Sequence, residues 1–133
     1  MWHASRGSDS FLNQKRISVS TKKELKQTVI SANFHYDRFN EIYKKLASEG
    51  AILMTACSAA YFGGLVASGE FVASVTSGRQ IWETPAMQLI VEEAGGKATD
   101  MHGKNLDYSP GEIDGHVVSN GFLHEKLLDI IKA

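Results

Sequence analysis

From Gln27 to the last residue, short apolar and β-branched runs alternate with segments of helical period. No other feature limits the possible folds as much. "QTVISANF", "AILM", "FVASV", "KATD" and "GHVVSN" read as strands, each four to eight residues long and rich in Val, Ile and Ala. Between them lie "DRFNEIYKKLASEG", "SAAYFGGLVASG" and "TPAMQLIVEEAGG", and "FLHEKLLDIIKA" closes the chain; these four read as helices. Strands alternating with helices predict α/β layers: a mixed, largely parallel sheet of about five strands with helices packed on it.

The helix ends are marked by residue chemistry. Gly50 stops the first helix, whose apolar positions are Phe39, Ile42, Tyr43 and Leu46. Ser58 suits the N-cap of the second, with Gly69 past its end; Gly63 and Gly64 inside it predict close packing against another backbone. Thr84 is the expected N-cap of the third and Pro85 its first helical residue, where the missing N–H costs nothing. Its expected inward stripe is Ala86, Leu89, Ile90 and Ala94, with Gln88 and Glu92 facing out.

Residues 1–20 break the alternation. "RISVS" preceded by a turn at "LNQK" reads as a hairpin-like piece, as if cut from a larger antiparallel sheet, and residues 21–133 form the α/β domain.

Charge and composition exclude several classes. The formal net charge of −1 gives no electrostatic case for nucleic acid or an anionic membrane. No apolar run has bilayer-spanning length, and the first residues lack a secretory h-region. The single cysteine, Cys57, rules out an internal disulfide framework, and the five histidines include no i, i+4 pair. A cytoplasmic location is the expectation.

Three places offer chemistry. Glu83, in the loop before the third helix, could ligate a hard cation such as Mg²⁺, although a lone carboxylate there more often answers the positive helix end. The start of the second helix, at Cys57, Ser58 and Ala59, could hold a phosphate or hydroxyl on its N–H groups. Cys57 as a reactive thiol is the less favoured reading, since free cysteine is usually a small buried hydrophobe. The loop Met101–Asp114 is expected to be a solvated connection, and Asp100 to point away from Glu83.

The sequence resembles the inositol monophosphatase family of Mg²⁺-dependent, lithium-sensitive phosphatases. The match to the family's Trp-Asp-x-Ala-Ala reads Trp82-Glu83-Thr84-Pro85-Ala86, followed by Glu93-Ala94-Gly95-Gly96 and Asp100-Met101-His102-Gly103. "ACSAAYFGGLVASGEFVASV", "ASRGSDSFLNQKRISVS" and "HVVSNGFLHEKLLDII" are similar to three further family segments, so the resemblance runs from about Trp2 to Ile131. It implies the C-terminal domain of the family's αβαβα sandwich, with residues 1–20 belonging to the preceding antiparallel sheet. It also implies one metal ligand, Glu83, and substrate contacts at Cys57, Ser58, Ala59 and Thr76.

In the family a Glu-Glu pair and Asp-Pro-x-Asp-Gly-Thr lie in the half that precedes this match. This chain lacks them (its own Glu92-Glu93 belongs to the Glu-Ala-Gly-Gly helix), and with them most metal ligands and the groups that activate water. The resemblance therefore implies no catalytic residue here, Mg²⁺ held weakly or not at all, and no activity for the isolated chain. Partners would be a small phosphorylated metabolite at a completed site, and a missing N-terminal half or a second copy. Glu83 replaces the family's Asp, Cys57 its Gly, Thr76 a Glu and Met54 a frequent Arg. A non-catalytic interaction or small-anion-binding domain is the alternative.

Overall fold

The computed structural model describes residues 1–34, 36–56, 58–78 and 81–132, the side chains of residues 36–38 excepted. Strands β1 (Trp2–Ala4), β2 (Ser10–Leu12) and β3 (Lys15–Ile17) form a small antiparallel sheet in that order. Leu12 pairs with Lys15 across a two-residue turn. Asn13 and Gln14 both take positive φ there, 48° and 70°, which matches the twist of the flanking strands.

The alternating elements follow: β4 (Val29–Asn33), α1 (Tyr36–Ser48), β5 (Ile52–Met54), α2 (Ala59–Ala67), β6 (Ala73–Thr76), α3 (Thr84–Glu93), β7 (Lys97–Thr99), β8 (His116–Ser119) and α4 (His124–Lys132). The second sheet has five strands in the order β5-β4-β6-β8-β7. Its β4–β5 and β4–β6 pairs are parallel, its β6–β8 and β7–β8 pairs antiparallel, so only β8 runs against the other four. The expected mixed sheet of about five strands is what forms.

Strand alternation assigns the two faces of this sheet. Ile30, Ala73, Val75 and Val117 pack with Ile42 and Leu46 of α1 and Leu127, Leu128 and Ile131 of α4. On the other face Val118 and Ala98 pack with Phe62 and Val66 of α2 and Met87 and Val91 of α3. Trp2, Ile17 and Val19 cover that second cluster from the far side, which makes α2 and α3 a layer between two sheets.

Being covered on two sides explains the paired glycines of α2. A Cβ on Gly63 would lie 2.0 Å from Cγ of Met87 in α3, and one on Gly64 would lie 2.7 Å from the Trp2 ring. One glycine admits the Met87 side chain of the neighbouring helix and the other the Trp2 ring of the small sheet, so the close approach is to side chains and not, as expected, to another backbone.

That sheet is also fastened by hydrogen bonds to the C-terminal ends of the same two helices. Gly7 and Ser8 N–H donate to the Glu93 carboxylate (2.8 and 3.2 Å), and Ser10 Oγ donates to Ile90 O (2.5 Å). Val19 N–H donates to Ala94 O (3.0 Å), and Trp2 Nε1–H to Ser68 Oγ (2.9 Å). Glu93 of the Glu-Ala-Gly-Gly segment is thus a clamp for the first hairpin, and Gly95 takes the left-handed φ of 91° that ends the helix.

Three local expectations need correction. Helix α3 begins at Thr84, with Glu83 and not Thr84 at the cap position. Thr84 is buried, because the inward face is Thr84, Met87, Val91 and Ala94; Ala86 is exposed. Gln88 and Glu92 do not face free solvent: Gln88 Nε2 donates to Glu92 Oε1 (2.8 Å), while Tyr108 OH donates to Gln88 Oε1 (2.6 Å). Tyr108 belongs to the loop after β7, which is therefore strapped onto α3. That loop also buries Ile113 and packs Leu106 on the second cluster, so it is partly core and not simply a solvated connection.

Candidate functional site

Parallel strands set side by side bring their carboxyl ends, and the helices that follow them, to one edge of the sheet. Here β5 leads to α2 and β6 leads to α3, so the first turns of both helices lie at the edge where β4 ends at Asn33 and β6 at Thr76.

The N-terminus of α2 forms as its sequence dictates. Ser58 is the N-cap, its Oγ accepting from Tyr61 N–H at 3.4 Å. Glu83 Oε2 accepts from Ala60 N–H, one residue earlier in the same turn, at 3.2 Å. Glu83 sits at the cap position of α3 with helical backbone (φ −93°, ψ −28°) and makes no side-chain bond to its own helix. Its carboxylate instead serves the neighbouring helix, where unpaired N–H groups and the helix dipole favour negative charge. Two of the places read from sequence as separate are thus one place.

Ser58, Ala59 and Glu83 are brought together, whereas Cys57 lies outside the described residues. Thr76 is half-buried at the end of β6, with Asn33 and His116 as its cross-strand partners. Among the described residues no hydrogen bond joins it to Ser58 or Glu83. Asp100 is turned to its own loop, its Oδ1 accepting from the N–H groups of His102 and Lys104, both at 2.8 Å.

A cavity of about 440 Å³ adjoins Glu83, lined by Trp2, Tyr61, Ala86, Met87 and Ile90 among others. Its lining is apolar, and Tyr61, Trp82 and Met1 leave large apolar surface exposed nearby (52%, 72% and 81%).

The strand ends carry a set of polar side chains that the sequence reading passed over, apart from Thr76. Ser31 pairs with Ser74, which pairs with Val118; one row further along, Asn33 pairs with Thr76, which pairs with His116. All lie on the face toward α2 and α3. Burial pushes the His116 imidazole down to about 4, so it is neutral near pH 7. The signal was available as Ser and His at alternate positions in otherwise apolar strands, but alternation alone reads equally as a solvent face.

The residues present do not fit a Mg²⁺ ion by themselves. Mg²⁺ takes near-octahedral oxygen ligands at short distance, and among the described residues no group of three or more His, Cys, Asp and Glu gathers. Glu83, the carboxylate at the first turns of α2 and α3, is engaged with a backbone N–H.

A profile of the inositol monophosphatase family matches residues 1–133. The chain is 28% identical over 129 residues to the fructose-1,6-bisphosphatase/inositol-1-monophosphatase of Thermotoga maritima, covering 97% of this chain and 49% of that protein. It is 32% identical over 109 residues to the Nus factor SuhB of Xylella fastidiosa, covering 77% of this chain and 40% of that one. The solved structure of Thermotoga maritima IMPase superposes with a TM-score of 0.86 at 28% identity, covering 97% of this chain and 50% of the other. The chain thus spans about half the length of the curated relatives it matches. With a profile match over residues 1–133 and the same fold, it belongs to the inositol monophosphatase family.

Proposed function

We propose that this chain is the C-terminal part of a Mg²⁺-dependent phosphate monoester hydrolase acting on a small phosphorylated polyol, and that it is inactive alone. The observation that carries the reading is the convergence of Glu83 with the first turn of α2, at the carboxyl edge of a family fold of which half is represented. In the assembled site Glu83 is one metal ligand, and Cys57, Ser58, Ala59 and Thr76 contact substrate. The remaining ligands and the water-activating groups come from a complementary half carrying Glu-Glu and Asp-Pro-x-Asp-Gly-Thr. Held by Glu83 together with ligands of that half, Mg²⁺ would supply charge neutralisation on the phosphoryl oxygens.

Residues 1–20 belong, in this reading, to an antiparallel sheet completed by that half. The apolar cavity lined by Trp2, Tyr61 and Ile90, beside the open edge of β1, supports docking there. The location is cytoplasmic; among the described residues no helix is long and apolar enough to cross a membrane.

The purified chain, given Mg²⁺ and inositol 1-phosphate, is expected to release no phosphate above a Glu83→Ala control. Adding the separately produced N-terminal half of a family member is expected to restore turnover. Turnover by the chain alone refutes its inactivity, and failure to restore with a half that demonstrably binds refutes the enzymatic reading.

The second reading is a non-catalytic interaction or anion-binding domain. It is favoured by the carboxylate already occupying the α2 turn and by relatives named as Nus factors. Stable association with a partner, without phosphate release at any Mg²⁺ concentration, is its signature.

A further inference from the structure

Ser74 and His116 are each almost wholly buried, 0% and 3% exposed, and each keeps a polar atom, Oγ and Nε2, without a hydrogen-bond partner among the described residues. An unsatisfied buried group costs about 1–3 kcal/mol, so two on one face require a cause. Ser74 is opposite Val118 and His116 opposite Thr76, in adjacent rows of the β6–β8 pair. The two side chains are therefore diagonal neighbours, a separation of about 7–8 Å that an imidazole can partly bridge.

Their position restricts what they could meet. Both point from the sheet toward α2 and α3 at its carboxyl edge, together with Ser31, Asn33 and Thr76. All five groups are uncharged hydrogen-bonding groups, and none of them is a Lys or Arg to attract phosphate. Hydroxyl, amide and neutral imidazole suit an alcohol, which can both donate and accept. A buried polar group left unpaired by the wrong ligand also discriminates strongly against analogues lacking the hydroxyl.

We infer that His116, with Ser74 behind it, is a specificity-determining residue that hydrogen-bonds a hydroxyl of the polyol moiety of a phosphorylated substrate. The assignment rests on the phosphatase-derived reading above and adds the part of the substrate that this half recognises. Nε2 donates or accepts according to tautomer, and Thr76, half-buried in the same row, lies between His116 and Asn33.

The test is a titration of the full chain, ¹⁵N-labelled, with inositol 1-phosphate and separately with inorganic phosphate at millimolar concentration. The His116 ring signals are expected to move with the polyol phosphate and to stay with inorganic phosphate. Ring signals that move equally with both, or with neither while the Ser58–Ala60 amides respond, overturn the His116 assignment and leave the binding reading standing. No response anywhere in the chain overturns the His116 assignment, while the phosphatase-derived reading, in which the complementary half completes the site, stands or falls with the reconstitution experiment. Affinity for the polyol phosphate relative to inorganic phosphate is expected to fall about tenfold in His116→Leu and about threefold or less in His116→Asn, which keeps a hydrogen-bonding group. An unchanged ratio in His116→Leu, or a buried water bridging Ser74 and His116 that persists with ligand bound, also overturns it.

Discussion

Glu83 Oε2 accepts the backbone N–H of Ala60 at 3.2 Å, so the start of α3 is tied to the start of α2 by a carboxylate. An Asp at this position is one methylene shorter and falls short of that amide. Glu83→Asp and Glu83→Ala are therefore both expected to speed amide exchange at Ala60, while global stability changes by about 1 kcal/mol or less, since the side chain is exposed. Exchange at Ala60 as slow as in the parent would show that the bond does not persist in solution. Calorimetric titration is expected to show only millimolar or weaker Mg²⁺ binding to the parent chain, little altered by Glu83→Ala.

Gly63→Ala forces a methyl group into the space of Met87, where its Cβ would meet Cγ at 2.0 Å. Overpacking of this kind costs about 1–3 kcal/mol. Urea denaturation should show that loss, and in combination with Met87→Ala the two costs should sum to less than their separate values, because the second change removes the clash.

Acid is expected to unfold the chain through two histidines. Burial, with the Lys97 charge as the next cause, pushes His124 down to about 4, and burial alone does the same for His116. Both titrate near 6.5 when unfolded, so the unfolded chain binds more protons between these values. Their contribution to stability is complete above about pH 6.5 and is lost as pH falls toward 4. Melting temperatures should decline across that window, and His124→Gln should flatten part of the decline.

Tyr108→Phe removes the hydroxyl that donates to Gln88 Oε1 at 2.6 Å. The expected loss is about 0.5–1.5 kcal/mol, with faster exchange confined to the loop after β7. Burial and the Glu92 charge push the Tyr108 phenol up to about 12. The parent should therefore show a tyrosine ionisation near pH 12 in an ultraviolet pH titration, and the variant should lack it.

The order of elements was legible because each carries a local signal: period two in β4 and β6, period three to four in α1 and α4, and glycines at the helix ends. The inward face of α3 was less so. Ala86 and Met87 are both apolar, and which one turns inward depends on the small sheet that covers the helix, a contact between residues far apart in the chain. Glu83 was recognised as a residue of interest, but its partner lies twenty-three positions earlier and is a backbone amide, which has no sequence signature. The polar rows around His116 went unread for a related reason. Ser74 and His116 become neighbours only through strand pairing, and neither belongs to a spaced motif.

Among the described residues, the hydrogen bonds that fasten the small sheet land on the later half of α3, on its C-terminal cap or on the end of α2, at Glu93, Ile90, Ala94 and Ser68. The candidate chemistry gathers at the opposite ends of the same helices. Each helix is thus anchored at one extremity and left available at the other, like a post set in the ground. The exposed turn between β2 and β3, at Asn13 and Gln14, makes none of these bonds and can then vary while the groups at the free ends keep their positions. A chain built in this way can vary its outer surface and its working edge as separate inheritances.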